Sequence, residues 1–149
     1  MSQKKAIFVK ISDCVGCLTC ELSCGASHKS IPRLVVEAQG LSPVPVLCRH
    51  CEEAPCVDAC MSGSMHKIPE KGIIINDEER CVGCFMCAMA CPYGVIFSNG
   101  EGKLAYKCDL CYDKEEPVCV TSCPMYALRY TTLEQFEDEV RRESVSSLW

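Results

Sequence analysis

Apolar residues run in short bursts separated by cysteine-rich, turn-like stretches, and a sustained amphipathic pattern appears only after residue 131. Runs rich in Ile and Val at 6–11, 34–37, 72–76, 95–98 and 127–130 predict brief strands. Short helical turns are expected behind the third cysteine of each cysteine group, as at 21–26 and 88–91. The run LSPVPV at 41–46 reads as an extended connector, because its prolines fix φ and lack an N–H. Thr132 and Gln135 form a capping-box signature. Leu133, Phe136 and Val140 then draw an apolar stripe along a charged helix expected to reach about residue 143. Most such stripes pack on their own domain, and docking on a partner subunit is the alternative.

Sixteen cysteines in 149 residues change this picture. They fall into four groups of four with none left over: Cys14, Cys17, Cys20, Cys24; Cys48, Cys51, Cys56, Cys60; Cys81, Cys84, Cys87, Cys91; and Cys108, Cys111, Cys119, Cys123. Groups one and three share the spacing C-x2-C-x2-C-x3-C, while groups two and four widen the middle gap, an internal repeat of one binding unit. A cube of four irons and four sulfides needs a thiolate at each iron corner. The tight C-x2-C-x2-C loop presents three of them while its backbone N–H groups face the sulfides. The fourth cysteine, beyond three intervening residues in a helical turn, faces away and ligates the other cluster of a pair. Four groups therefore predict four [4Fe–4S] clusters. Proline closes groups three and four as Pro92 and Pro124, whereas Gly25 and Met61 stand at that place in groups one and two.

Composition narrows the alternatives. Cysteine this dense means disulfides or metal sites, and an export signal or twin-arginine pair is not expected from the first residues, so a reducing, cytoplasmic setting and metal ligation are favoured. No apolar run approaches the roughly 18 residues needed to cross a bilayer. Without its cysteines the chain is only about 37% apolar, so clusters are expected to complete the core. The net charge of −5 becomes about −13 if each cluster–thiolate unit carries about −2, which argues against nucleic-acid binding. Zinc sites give no reason for a third cysteine at the same interval. Glycine-rich phosphate loops and nicotinamide or flavin fingerprints do not occur, and no catalytic residue is nominated.

Beyond the cysteines, Arg49, Arg80 and Lys107 adjoin ligand positions and should favour the reduced cluster, while Asp13, beside Cys14, should oppose it. His28, His50 and His66 read as surface or supporting groups rather than ligands. Tyr93, Phe97, Tyr106 and Tyr126 are expected to shield clusters from water. The run DKEE at 113–116 reads as a solvated loop, with a docking patch for a basic partner as the sharper alternative.

The stretches CVGCLTCELSC, CRHCEEAPCVDAC, CVGCFMCAMACPYGVI and KCDLCYDKEEPVCVTSCP resemble the four-cluster ferredoxin-like subunits of the molybdopterin-oxidoreductase and hydrogenase electron-transfer family, over residues 6 to 130. Within it, ELSCGASHKS, PRLVVEAQG and PVPVLCRHCEEAPC are most similar to the small subunits serving carbon monoxide dehydrogenase, with formate- and aldehyde-oxidoreductase partners close behind. The resemblance implies an α+β fold of two nested bacterial-ferredoxin-like modules around four clusters, plus a C-terminal helix. Module A would take about 1–32 and 100–130 and module B about 44–99, within a domain 1–130 followed by a helix and tail at 131–149. It implies four ligand sets: Cys14, Cys17, Cys20 with Cys123; Cys108, Cys111, Cys119 with Cys24; Cys48, Cys51, Cys56 with Cys91; and Cys81, Cys84, Cys87 with Cys60. Spacing alone leaves sequential pairing open.

The resemblance further implies a near-linear row of clusters passing single electrons, in anaerobic metabolism, between a catalytic metalloenzyme subunit and a second redox partner. That subunit would be of molybdenum or tungsten oxidoreductase, carbon monoxide dehydrogenase or hydrogenase type. Larger members carry insertions and an export or membrane segment, so a soluble cytoplasmic complex without direct membrane insertion is expected. A free polyferredoxin carrier, a cluster store and a zinc scaffold are the competing classes, and homo-oligomerisation stays open.

Overall fold

The computed structural model describes residues 4–40, 42–98 and 100–146. It is a small mixed fold of short helices and two-stranded antiparallel sheets. Strand β1, Ala6–Val9, pairs with β8, Leu128–Thr131, in the register Ala6↔Thr131 to Val9↔Leu128, so the first and last strands close on each other. β2 (Val35–Gln39) pairs with β3 (Ser42–Val46), β4 (Met65–Ile68) with β5 (Ile73–Asn76), and β6 (Phe97–Ser98) with β7 (Ala105–Tyr106).

β3 corrects the expected connector at 41–46: from residue 42 onward that run is a strand, and residue 41 lies outside the described residues. A two-stranded ribbon leaves one side of each strand unpaired, where Pro43 and Pro45 lose no ladder bond. The other expected strands appear with bounds shifted by up to two residues.

Each helix begins just ahead of the third cysteine of its group: α1 is Thr19–Ser27, α2 Pro55–Asp58, α3 Met86–Ala90 and α4 Val118–Thr121. The residues preceding α1, α2 and α3, namely Leu18, Ala54 and Phe85, all take the left-handed conformation, and Pro117 serves before α4. α1 packs against α4, and α2 against α3.

Two apolar cores result. One gathers Ile7, Leu34, Leu47, Ile73, Leu110 and Leu128 around Cys20, Cys24 and Cys119. The other gathers Ala54, Met65, Ile74, Ile96 and Ala105 around Cys56 and Cys87. Adjacent residues of a strand point to opposite faces, so β5 sends Ile73 into the first core and Ile74 into the second. β5 is the seam of the molecule.

The final helix, α5 (Leu133–Ser146), has the expected capping box: Gln135 N–H donates to Thr132 Oγ1 and Thr132 N–H to Gln135 Oε1, both at 3.4 Å. Of its stripe only Phe136 docks, on Phe8, while Leu133 and Val140 stay exposed. Ion pairs Lys10–Glu143 and Arg129–Glu139 hold the helix against β1 and β8. The expected tail at 147–149 and residues 1–3 lie outside the described residues. Among the described residues no helix is long and apolar enough to cross a membrane.

Candidate metal centres

All sixteen cysteines are free thiols. Cys14, Cys17, Cys20 and Cys123 line one cavity, closed by Val15, Leu18, Val36, Pro45, Met125 and Leu128. Cys48, Cys51, Cys56 and Cys91 line a second, closed by Ile74, Pro92, Tyr93, Val95 and Ile96. Elsewhere, Cys87 lies in the electrostatic reach of Cys60 and Cys81. Cys119 lies in that of Cys108, Cys111, Cys24 and Cys20, and Cys108 in that of Cys48. Four sulfur donors converging on an apolar pocket suit a soft iron–sulfur cube, and the donor set fits.

The loops are shaped for the task. The residue just before the second cysteine has positive φ in every group: Gly16 (68°), His50 (47°), Gly83 (70°) and Leu110 (62°). A left-handed residue at that place is the conformation from which anion-binding nests are built. In the wider loops His50 N–H and Leu110 N–H donate to the first sulfur, Cys48 and Cys108, at 3.4 Å each. Three of the fourth cysteines also accept a backbone N–H from the segment that follows: Arg33 to Cys24 at 3.2 Å, Met65 to Cys60 at 3.3 Å and Ala127 to Cys123 at 3.3 Å. Such bonds stabilise thiolate and tune a cluster's potential.

Burial sets the thiols apart. It pushes Cys20 and Cys56 up to about 11 and Cys108 to about 12, so these sulfurs keep their protons at neutral pH until a metal supplies positive charge. At Cys60 burial works in the same direction, but bonds from the Ser64 hydroxyl, Met65 N–H and the Ser62 hydroxyl outweigh it and bring the thiol down to about 6. Cys17 and Cys84 are the exposed members of the sixteen.

Residues 41–133, holding groups two, three and four, match the 4Fe-4S dicluster domain family. The chain belongs to that family. Electron transport protein HydN of Escherichia coli (strain K12) is 36% identical to it, over 93% of this chain and 95% of HydN. A subunit of the anaerobic dimethyl sulfoxide reductase of the same strain is 35% identical, over 96% of this chain and 78% of the relative. Among solved structures, the active site complex BamBC of benzoyl coenzyme A reductase as isolated shares 24% identity, covering 96% of this chain and 89% of that one, at a TM-score of 0.48. This dicluster chain is an iron–sulfur electron-transfer protein, with cysteines for four [4Fe–4S] clusters.

Around the cysteines of this family member the expected roles redistribute. Asp13 is paired with Lys10 at 3.0 Å, which offsets the charge placed beside Cys14. Arg49 is exposed and lies over the Tyr93 ring at 6.0 Å, and Arg80 is exposed beside Gly63. Tyr106 is buried as expected, but Tyr126 is 69% exposed, and Val95, Ile96, Leu110 and Ile74 do much of the shielding instead. The 113–116 run is exposed, with Lys114 Nζ bonded to Ser27 Oγ.

Two arrangements had no sequence signal beyond residue type. Arg33 joins Asp109 (3.0 Å) and Glu78 (3.1 Å), and His28 lies 3.3 Å from Asp109, a polar clasp over Cys24. His50 is buried, its Nδ1 accepting from Ile74 N–H at 3.0 Å, and among the described residues no protein atom accepts from its Nε2. Burial, with the Lys107 and Lys4 charges, lowers its pKa to about 3.

Proposed function

We propose that this chain is the non-catalytic wiring subunit of a cytoplasmic oxidoreductase complex, joining a catalytic metalloenzyme to a second redox partner. The metalloenzyme would be of molybdenum or tungsten oxidoreductase, carbon monoxide dehydrogenase or hydrogenase type. The observation that carries the reading is the exchange of fourth cysteines: Cys123 shares a cavity with Cys14, Cys17 and Cys20, and Cys91 shares one with Cys48, Cys51 and Cys56. This supports nested modules, 1–32 with 100–130 around 44–99, and the four ligand sets that the family resemblance implies. When bound, the clusters supply one-electron centres.

The protein's own part is to hold thiolates, direct N–H groups at sulfur and keep water out. Proximities Cys20–Cys119, Cys48–Cys108 and the packing of α2 on α3 favour a row in the order of groups one, four, two, three. Exposed Cys17 and Cys84 then mark its two ends, each beside exposed apolar side chains, Val15 and Leu18 at one end and Val82 and Met86 at the other. Electrons would enter and leave there.

Anaerobic isolation with mass spectrometry and iron counting tests the role. About sixteen irons with a stoichiometric metalloenzyme is the expected result, and sixteen irons on a lone chain would replace it with a free carrier. Cys24→Ser tests the pairing. It should disturb the same electron paramagnetic resonance (EPR) signal as Cys108→Ser, whereas disturbing the signal that Cys48→Ser changes would mean sequential pairing.

A further inference from the structure

Lys107 is 2% exposed, and its Nζ donates to the carbonyl oxygens of Ile74 and, at 2.7 Å, of Cys108. Among the described residues no carboxylate forms an ion pair with it. A buried ammonium without an anion costs several kcal/mol, so such a group persists where something else supplies negative charge. The two candidate sources flank it. On one side is the backbone of Cys108, in the loop of group four. On the other is Ile74, whose side chain lines the cavity of Cys48, Cys51, Cys56 and Cys91. Lys4, half-buried, donates from its Nζ to the His50 carbonyl at 2.7 Å, so Lys107 is the cation fully buried at the seam.

We propose that Lys107 is a shared counter-charge between the cluster held by Cys48, Cys51 and Cys56 and the cluster held by Cys108, Cys111 and Cys119, making both easier to reduce. This rests on the four-cluster reading but not on which fourth cysteine completes each set. An added electron makes a cluster more negative, and a cation fixed in a low-dielectric seam favours that state more than a screened surface cation does. Arg49 and Arg80, equally close to ligand cysteines in sequence, are exposed and screened. Lys107 thereby tunes the one step that crosses β5 from one core to the other.

EPR-monitored redox titration of the anaerobically purified holoprotein tests this, with Lys107→Met and with Lys107→Gln, which keeps an N–H donor but no charge. Expected in both is about a tenfold loss in the reduced-to-oxidised ratio at fixed potential, about 59 mV per one-electron step, for two of the four clusters. Cys48→Ser and Cys108→Ser identify which two. Unmoved potentials, or a shift in Lys107→Met that Lys107→Gln abolishes, overturns the charge role. If Lys107→Met loses iron, Lys107→Gln alone decides. A wild-type count well below sixteen irons would instead sink the four-cluster reading itself.

Discussion

Phe8 of β1 and Phe136 of α5 stack with ring centroids 4.8 Å apart and 15° between their planes. This is the one aromatic contact holding the last helix among the described residues, since Leu133 and Val140 remain exposed. Phe136→Ala should loosen α5 by about 1–2 kcal/mol, from the lost aromatic pair and part of its buried area. Hydrogen exchange should rise across 133–146 while the iron content holds. Unchanged protection would mean the ion pairs to Lys10 and Arg129 are sufficient.

The cap above that contact is separable from it. Thr132→Ala removes the oxygen that Gln135 N–H uses and should cost about 1 kcal/mol of helix stability. Exchange should quicken mainly in the first turn of α5. Fraying that begins instead at the far end would show the cap to be idle.

Gly83 lies at φ +70°, and a Cβ there would overlap the Lys103 carbonyl, reaching its carbon at 3.0 Å. Backbone cannot swing aside as a side chain can, so Gly83→Ala should cost about 1–3 kcal/mol and loosen the 81–84 loop. Isolated protein should hold nearer twelve than sixteen irons. Gly16 has the same conformation but faces the Pro43 ring, at 3.0 Å from its Cβ, so Gly16→Ala should lose less iron.

His50 gives the protein an acid limit. Burial, aided by Lys107 and Lys4, holds its folded pKa near 3, below the ordinary 6.5, so the unfolded chain takes up a proton that the folded one refuses. Stability contributed by the neutral ring is full above pH 6.5 and drains away as pH falls towards 3. The loss should reach about 2 kcal/mol by pH 5. His50→Gln, which can still accept from Ile74 N–H, should flatten that slope in cluster absorbance followed from pH 7 to 5. An equally steep slope would assign the acid sensitivity to cluster protonation.

The cysteine grouping and the last helix are legible because each depends on local spacing: C-x2-C-x2-C, one helical turn to the fourth cysteine, and the Thr132–Gln135 box. The strand at Ser42–Val46 was hidden by its prolines, whose usual meaning holds for interior strands and lapses in a two-stranded ribbon. Met65–Ile68 and Ala105–Tyr106 are too short to show a period. The contrast among Arg49, Arg80 and Lys107 was out of reach for a different reason. Each sits one residue from a ligand cysteine, and only the meeting of two cores at β5 decides which charge is buried.

Among the described residues β1 pairs with β8 and α1 packs chiefly on α4, so these two contacts of residues 6–27 wait for about a hundred more residues to be synthesised. At ordinary ribosomal speeds of 5–20 residues per second that is about 5–20 s. The hairpin of β4 and β5 and the α2–α3 pair are complete well before then. Assembly therefore has a direction: the middle of the chain can fold during translation, while the β1–β8 sheet and the α1–α4 pair that flank group one close last.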